Sequence, residues 1–201
     1  MPSIYHTCKP LILASASPRR QGYFQDLGLN YQVHAADIDE TSLPGEEPQV
    51  FAQRMAMEKA QAVMALYPDS WVVAADTVVN LAGSVLGKPI NTEDAVSMLM
   101  RLSGKEHRVQ TGICLGCRRN NTLTAQLVTT RVVFRLFPEK VARAYAATGE
   151  PLDKAGAYGI QGKGAFLVQE ISGSYSNVVG LPLCELLAML EENGVIAVSS
   201  P

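Results

Sequence analysis

Apolar and polar positions along this chain switch repeatedly between the period of a strand and that of a helix. Residues 11–14 are a short unbroken apolar run, the pattern of a buried strand. Ser17-Pro18 follows as a helix start, with serine as the cap and proline at the first helical position. That helix is expected to reach Leu27, with Gly28 just past its end. Residues 31–35 predict a second strand, and residues 37–48 an acidic loop containing proline. Residues 49–66 carry helical spacing and strong helix formers. Residues 71–75 predict a strand running out into Asp76-Thr77, and residues 78–86 a hairpin turning at Ala82-Gly83. A helix is expected over 92–102, capped by Thr92. Long strands over 109–118 and 122–137 meet at Asn120-Asn121, and 138–148 is helical. A glycine-rich stretch, 156–164, leads into a strand over 165–171, and a helix over 182–193 closes the chain. Strands and helices are interspersed, so the class is α/β or mixed α+β. No repeat or low-complexity linker divides residues 1–201, which read as one unit with room for two lobes around a cleft.

Composition narrows the function. Hydrophobic residues make up 47% and charged residues 18%, a globular balance. The formal net charge of -2 leaves no surplus of cations to replace the counterions of a nucleic-acid polymer. No run approaches the ~18 apolar residues that cross a membrane, and residues 1–9 lack the apolar core of a signal peptide. The expected location is therefore the cytoplasm. Of the cysteines Cys8, Cys114, Cys117 and Cys184, the middle two form a C-x-x-C. A zinc site usually needs a second such pair, and positions three apart on a strand point to opposite faces. Reduced, partly buried thiols are expected instead.

The segment Ser15-Ala16-Ser17-Pro18-Arg19-Arg20 joins a strand to a helix N-terminus, where free N–H groups and the helix dipole favour an anion. Arg19 and Arg20 in that first turn oppose the dipole unless a phosphate binds there. Ser15, Ser17 and a guanidinium fork would then hold it; otherwise both arginines point to solvent. Asp76, emerging from an apolar strand, is either a general base or metal ligand at a strand end, or a carboxylate capping a turn. Asp37, Asp39 and Glu40 are either ligands for a hard cation such as Mg²⁺ or a solvated loop. Lys59, on a helix, and Lys88, in Gly87-Lys88-Pro89, are either phosphate partners or surface cations. In residues 153–162, glycines allow close backbone approach, and Gln161 has the donor and acceptor needed for a base edge. This stretch matches neither a P-loop nor a dinucleotide fingerprint. His107 reads as a structural hydrogen-bonding histidine.

Taken in order, several segments resemble the Maf family of nucleotide pyrophosphatases. They are Ala14-Ser15-Ala16-Ser17-Pro18-Arg19-Arg20; Asp39-Glu40; Arg54 with Glu58-Lys59-Ala60; Ala75-Asp76-Thr77; Gly87-Lys88-Pro89; Ser103-Gly104 through His107 to Thr111-Gly112; residues 153–162; and Gly173-Ser174-Tyr175 to Gly180-Leu181-Pro182. The resemblance covers about residues 10 to 190. It implies an elongated mixed sheet with flanking helices and a central cleft, similar to inosine triphosphate pyrophosphatases, and commonly a homodimer. It also implies that Asp76 is the proton acceptor for the attacking water. Glu40, Lys59 and Lys88 match positions around the triphosphate and a divalent ion, Mg²⁺ or Mn²⁺, with Glu40 and Asp76 as its ligands. Arg19, Thr77 and Gln161 match positions that track substrate class, here the branch acting on dTTP and UTP.

Other readings stand beside this one. The chain could favour modified nucleotides, act as a nucleotide-binding regulator of cell division without turnover, or use its C-x-x-C for redox or metal chemistry.

Overall fold

The computed structural model describes residues 3–199. Residues 1–2 and 200–201, part of the unit expected over 1–201, lie outside the described residues. The chain folds as a mixed α/β structure around one large twisted sheet. In chain order the elements are β1 (Tyr5–Thr7), β2 (Leu11–Leu13), α1 (Pro18–Asp26), β3 (Gln32–Val33), α2 (Pro48–Leu66), β4 (Trp71–Leu81), β5 (Ser84–Leu86) and α3 (Thr92–Leu102). Then come β6 (Glu106–Cys117), β7 (Thr122–Phe134), α4 (Glu139–Ala146), β8 (Val168–Ser172), α5 (Tyr175–Val179), α6 (Leu183–Glu192) and β9 (Ile196–Val198). Three short 3-10 turns, Glu150–Asp153, Ala155–Ala157 and Gly162–Leu167, lie between α4 and β8.

The sheet order is β3-β2-β4-β6-β7-β8, with β5 added beside β4. β2 runs parallel to both β3 and β4, while β4, β6, β7 and β8 pair antiparallel. A β2-α1-β3-α2-β4 path in which β2 lies between the other two strands creates a switch point between β2 and β4. Open α/β sheets bind ligands outside the carboxyl ends of strands at such a point. β1 and β9 form a separate antiparallel pair.

Period-two alternation sorts the core. On one face Leu11, Leu13, Trp71, Val73, Ala75, Ile113, Leu115 and Cys117 pack against Phe24 of α1 and Leu186, Met189 and Leu190 of α6. On the other, Ile12, Ala14, Val72, Ala74 and Cys114 pack against Ala56, Ala60 and Val63 of α2. A further cluster gathers α3, α4 and the far ends of β6 and β7. Gly112 and Gly116 of β6 lie on the α2 face. A Cβ on Gly112 would sit 2.7 Å from Gln53 Cα and against the Ala52 carbonyl, so a bare position there lets α2 approach the sheet. Cys114 and Cys117 are free and occupy opposite faces, and burial pushes the Cys114 thiol up to about 12.

Several boundaries differ from the sequence expectation. The strand over 71–75 and the first arm of the hairpin are one continuous β4, so Asp76 is mid-strand rather than at a strand end. The turn at Ala82-Gly83 is as expected, with φ of 50° and 88°. Asn91, not Thr92, caps α3, accepting from the Asp94 N–H. Ser17 holds the cap position of α1, but its side chain makes no cap hydrogen bond. β3 is shorter than 31–35, β7 ends at Phe134, and residues 165–167 belong to a 3-10 turn.

Candidate active site

β4 pairs with β2 only as far as Val73 and with β5 only from Val79. The edge between them is open, and a cleft of about 620 Å³ lies there, a size suited to a small ligand. Its lining includes Ser15, Ser17, Arg19, Arg20, Glu40, Lys59, Asp76, Thr77, Lys88 and Gln161. The structure thus brings these ten sequence-derived residues to one place. Asp153, Lys154 and Tyr158 line it too.

Alternation along β4 sends its adjacent polar residues Asp76 and Thr77 to opposite faces. Asp76 follows Val72 and Ala74 toward α2, where Lys59 waits. Lys59 is only 8% exposed, held in the buried stripe of α2 between Met55, Ala56, Ala60 and Val63. Its Nζ lies 2.7 Å from Asp76 Oδ1 and 3.0 Å from Glu40 Oε1. A buried ammonium requires such partners, and two carboxylates supply them. Across β6, Asp76 faces Gly112, so the close approach of α2 and the Lys59–Asp76 contact share one cause.

Glu40 comes from the loop after β3, and Arg54 of α2 ties that loop down. The Arg54 guanidinium grips Glu46 through Nε at 2.6 Å and Nη2 at 2.7 Å, donates to the Thr41 carbonyl, and reaches Glu58. The Arg54 hydrogen bonds hold the Glu46 carboxyl at about 2, well below its usual range, despite some burial. Of the three loop carboxylates weighed from sequence, Glu40 reaches Lys59, whereas Asp39 accepts from the Thr41 N–H and hydroxyl beside it. Asp37 is exposed and does not line the cleft.

Thr77 points to the α1 side. Its Oγ1 is 3.1 Å from Arg20 Nη2 and 2.9 Å from Thr111 Oγ1. Arg20 fills the open edge of β4, donating to the carbonyls of Ala75 and Gly180 and to the hydroxyls of Ser15 and Thr77. Burial pulls its pKa down, opposed by the charge of Asp76. With those donors engaged, Arg20 braces the cleft wall. Arg19, by contrast, meets among the described residues only the carboxylate of Asp153, at 3.2 Å across the cleft. Lys88 is exposed after β5, where the Gly87 carbonyl accepts from the Gly156 N–H and docks that loop on the glycine-rich segment. Gln161 is exposed in the same segment. Beneath it Tyr158 is buried, 2.8 Å through its hydroxyl from His107 Nε2.

This architecture has relatives. Residues 10–193 match the family model described as Maf-like protein. The chain belongs to the Maf family. A relative from Desulfotalea psychrophila named dTTP/UTP pyrophosphatase is 54% identical over 195 residues, covering 97% of this chain and all of that protein. One from Myxococcus xanthus with the same name is 52% identical, covering 92% of this chain and 93% of that one. Among solved structures, the Ham1 protein of Staphylococcus aureus shares the fold, with a TM-score of 0.55 at 15% identity over 92% of this chain and all of that one. The Maf chain therefore carries the expected fold class. Among the described residues no helix is long and apolar enough to cross a membrane.

Asp153 does not stand out as a site residue in the sequence, and Lys59 stands there as either a phosphate partner or a surface cation. For Lys59 a signal was present: it falls at helical spacing within the apolar positions Ala52, Met55, Ala56, Ala60 and Val63.

Proposed function

We propose that this Maf protein hydrolyses dTTP and UTP to the monophosphate and pyrophosphate. The observation that carries the reading is the buried Lys59 ammonium between Asp76 and Glu40 at the switch point of the sheet. The names of its relatives supply the substrate class.

In this reading Asp76 is the general base. Lys59 holds its carboxylate turned inward, and Asp76 orients and deprotonates a water aimed at the α-phosphorus. The in-line displacement breaks the bond to the leaving pyrophosphate. Arg19, Lys88 and Lys59 meet the non-bridging oxygens, and Ser15 and Ser17 with the first turn of α1 add donors. Gln161 pairs with the uracil or thymine edge through its amide.

The donor set also fits a divalent cation. Lys59 takes one oxygen of each carboxylate, leaving Asp76 Oδ2 and Glu40 Oε2 without a protein partner among the described residues. Mg²⁺ characteristically binds through one or two carboxylates plus substrate phosphates, and among the described residues no larger cluster of ligands is assembled. Glu40 and Asp76 would hold Mg²⁺ or Mn²⁺, whose chemistry is to draw charge from the phosphates as the leaving group departs. A homodimer in the cytoplasm completes the proposal, supported by the family resemblance.

The test is pyrophosphate release with Mg²⁺ or Mn²⁺ across dTTP, UTP, CTP, GTP, ITP and 7-methyl-GTP. Selective turnover of dTTP and UTP is the expected result. A purine preference would reject the specificity reading, and tight binding without turnover would replace an enzyme by a regulator.

A further inference from the structure

Gln161 lies just before the 3-10 turn Gly162–Leu167, outside any strand or α-helix, yet the backbone is pinned on both sides of that residue. The anchor is Glu150, at the start of the first 3-10 turn after Gly149. Its Oε2 accepts from the Lys163 N–H at 2.9 Å, and its Oε1 accepts from the Gly164 N–H at 3.0 Å. Oε1 also accepts from the Tyr145 hydroxyl at 2.9 Å. That hydroxyl in turn accepts from the Gly159 N–H at 3.2 Å. Gly159 precedes Gln161 and Lys163 follows it, so the arc carrying the amide is clamped by one carboxylate and one phenol from outside it.

The glycines of the arc are shaped to this anchor. Gly162, directly after Gln161, has φ of 73°, and a Cβ there would sit 2.9 Å from Glu150 Oε2. A Cβ on Gly164 would run into the Tyr145 hydroxyl. Lys154 Nζ donates to the Glu150 carbonyl at 2.5 Å, closing the turn from below. Burial raises the pKa of Glu150, but the Lys163 N–H, the Tyr145 hydroxyl and the Gly164 N–H outweigh it and keep the carboxyl below its usual range. A carboxylate with two oxygens suits this place, because it must accept along two directions at once.

We infer that Glu150 is a positioning residue for pyrimidine selectivity: it fixes the arc of Gln161 and so the direction in which the amide meets the base. This rests on the reading that Gln161 contacts the base. Glu150 itself does not line the cleft.

The decisive experiment is a double-mutant cycle, with kcat and KM measured for UTP and CTP in the wild type, Glu150→Gln, Gln161→Ala and the double variant. Glutamine keeps one acceptor and sets an NH₂ group against a backbone N–H. Glu150→Gln should lower the UTP-over-CTP ratio of kcat/KM by roughly 10-fold, through KM with kcat nearly unchanged. In the Gln161→Ala background it should lower the ratio no further. Tyr145→Phe, which removes the acceptor of the Gly159 N–H and one donor to Glu150 Oε1 but leaves the Lys163 and Gly164 N–H groups on that carboxylate, should shift the ratio the same way by a smaller factor. It serves as the test if Glu150→Gln fails to fold.

Three results would overturn the assignment: an unchanged ratio in both variants, equal losses of kcat with both nucleotides, or effects that multiply in the double variant. A Gln161→Ala enzyme with wild-type selectivity, or a wild type without preference for UTP, would overturn the Gln161 reading itself and the role of Glu150 with it.

Discussion

The floor and the rim of the cleft are built on different principles. On the floor, Asp76 and Lys59 sit on the 11-residue β4 and the 19-residue α2, and their meeting is set by strand alternation, helical spacing and the bare Gly112. On the rim, Arg19 in the first turn of α1 meets Asp153 of a 3-10 turn side chain to side chain, and Gln161, just before another 3-10 turn, is placed by backbone N–H groups that donate to the Glu150 carboxylate. Regular elements hold a constellation more precisely than loops, while loops tolerate variation. The floor is thus suited to a reaction common to all substrates, and the rim to telling them apart.

The sharpest test of that division is Asp76→Asn. The amide oxygen still accepts from Lys59, so the fold should survive with a near-native melting temperature. The general base is lost, and kcat should fall by about 10² to 10⁴ with every nucleotide alike. Measured kcat near the wild-type value would remove Asp76 from the chemistry. A change in nucleotide preference with kcat retained would move it from floor to rim.

The same division describes what could be read in the sequence. The floor was legible because its signals are periodic: apolar runs located β2 and β4, and the Asp76-Thr77 pair was visible as polar residues in an apolar strand. What was missed is that β2 stops at Leu13 while β4 continues, which makes Asp76 mid-strand yet open to the cleft. Where a neighbouring strand ends is a tertiary fact. β1 and β9 were missed because each has three residues and they pair across nearly the whole chain. α5, five residues long, shows no period. The anchoring of the rim was illegible for a different reason. The partners of Glu150 are backbone N–H groups, which every residue but proline carries, so no residue type marks them.

Beneath the rim, His107 offers a second way to separate the regions. It is 2% exposed, bonded to Tyr158 and edge-on to Phe134. Burial pushes its pKa down to about 4 from the usual 6.5. An unfolded chain takes up this proton near 6.5 and the folded one only near 4, so acid favours unfolding between those values. Stability should fall with pH across that window, by up to about 3 kcal/mol from this group. His107→Gln keeps a partner for the Tyr158 hydroxyl and carries no titrating group. Its urea midpoint should therefore decline less than that of the wild type between pH 7 and 4. Parallel declines would mean that the imidazole charges as readily when folded. The kcat of this variant at neutral pH should stay near wild type, since Asp76 and Lys59 lie beside the apolar cluster of Val72, Ala74, Ala56 and Ala60, and His107 packs on Phe134 and Tyr158 of another.

The smallest expected effect comes from Asp153→Asn on the rim. The Arg19–Asp153 pair is solvated, with side-chain exposures of 29% and 63%, and such pairs contribute roughly 0–1 kcal/mol. Stability should hardly change. In the free protein, however, Asp153 neutralises the cation that a triphosphate is proposed to use, so the incoming phosphate must displace it. Removing that charge should lower KM for UTP by about 2- to 5-fold at low ionic strength, with kcat unchanged. The gain should shrink as added salt screens the site. A KM that rises instead would show that Asp153 orients Arg19 rather than competing for it. In that case the cation of the rim, like its amide, would owe its aim to a neighbouring carboxylate.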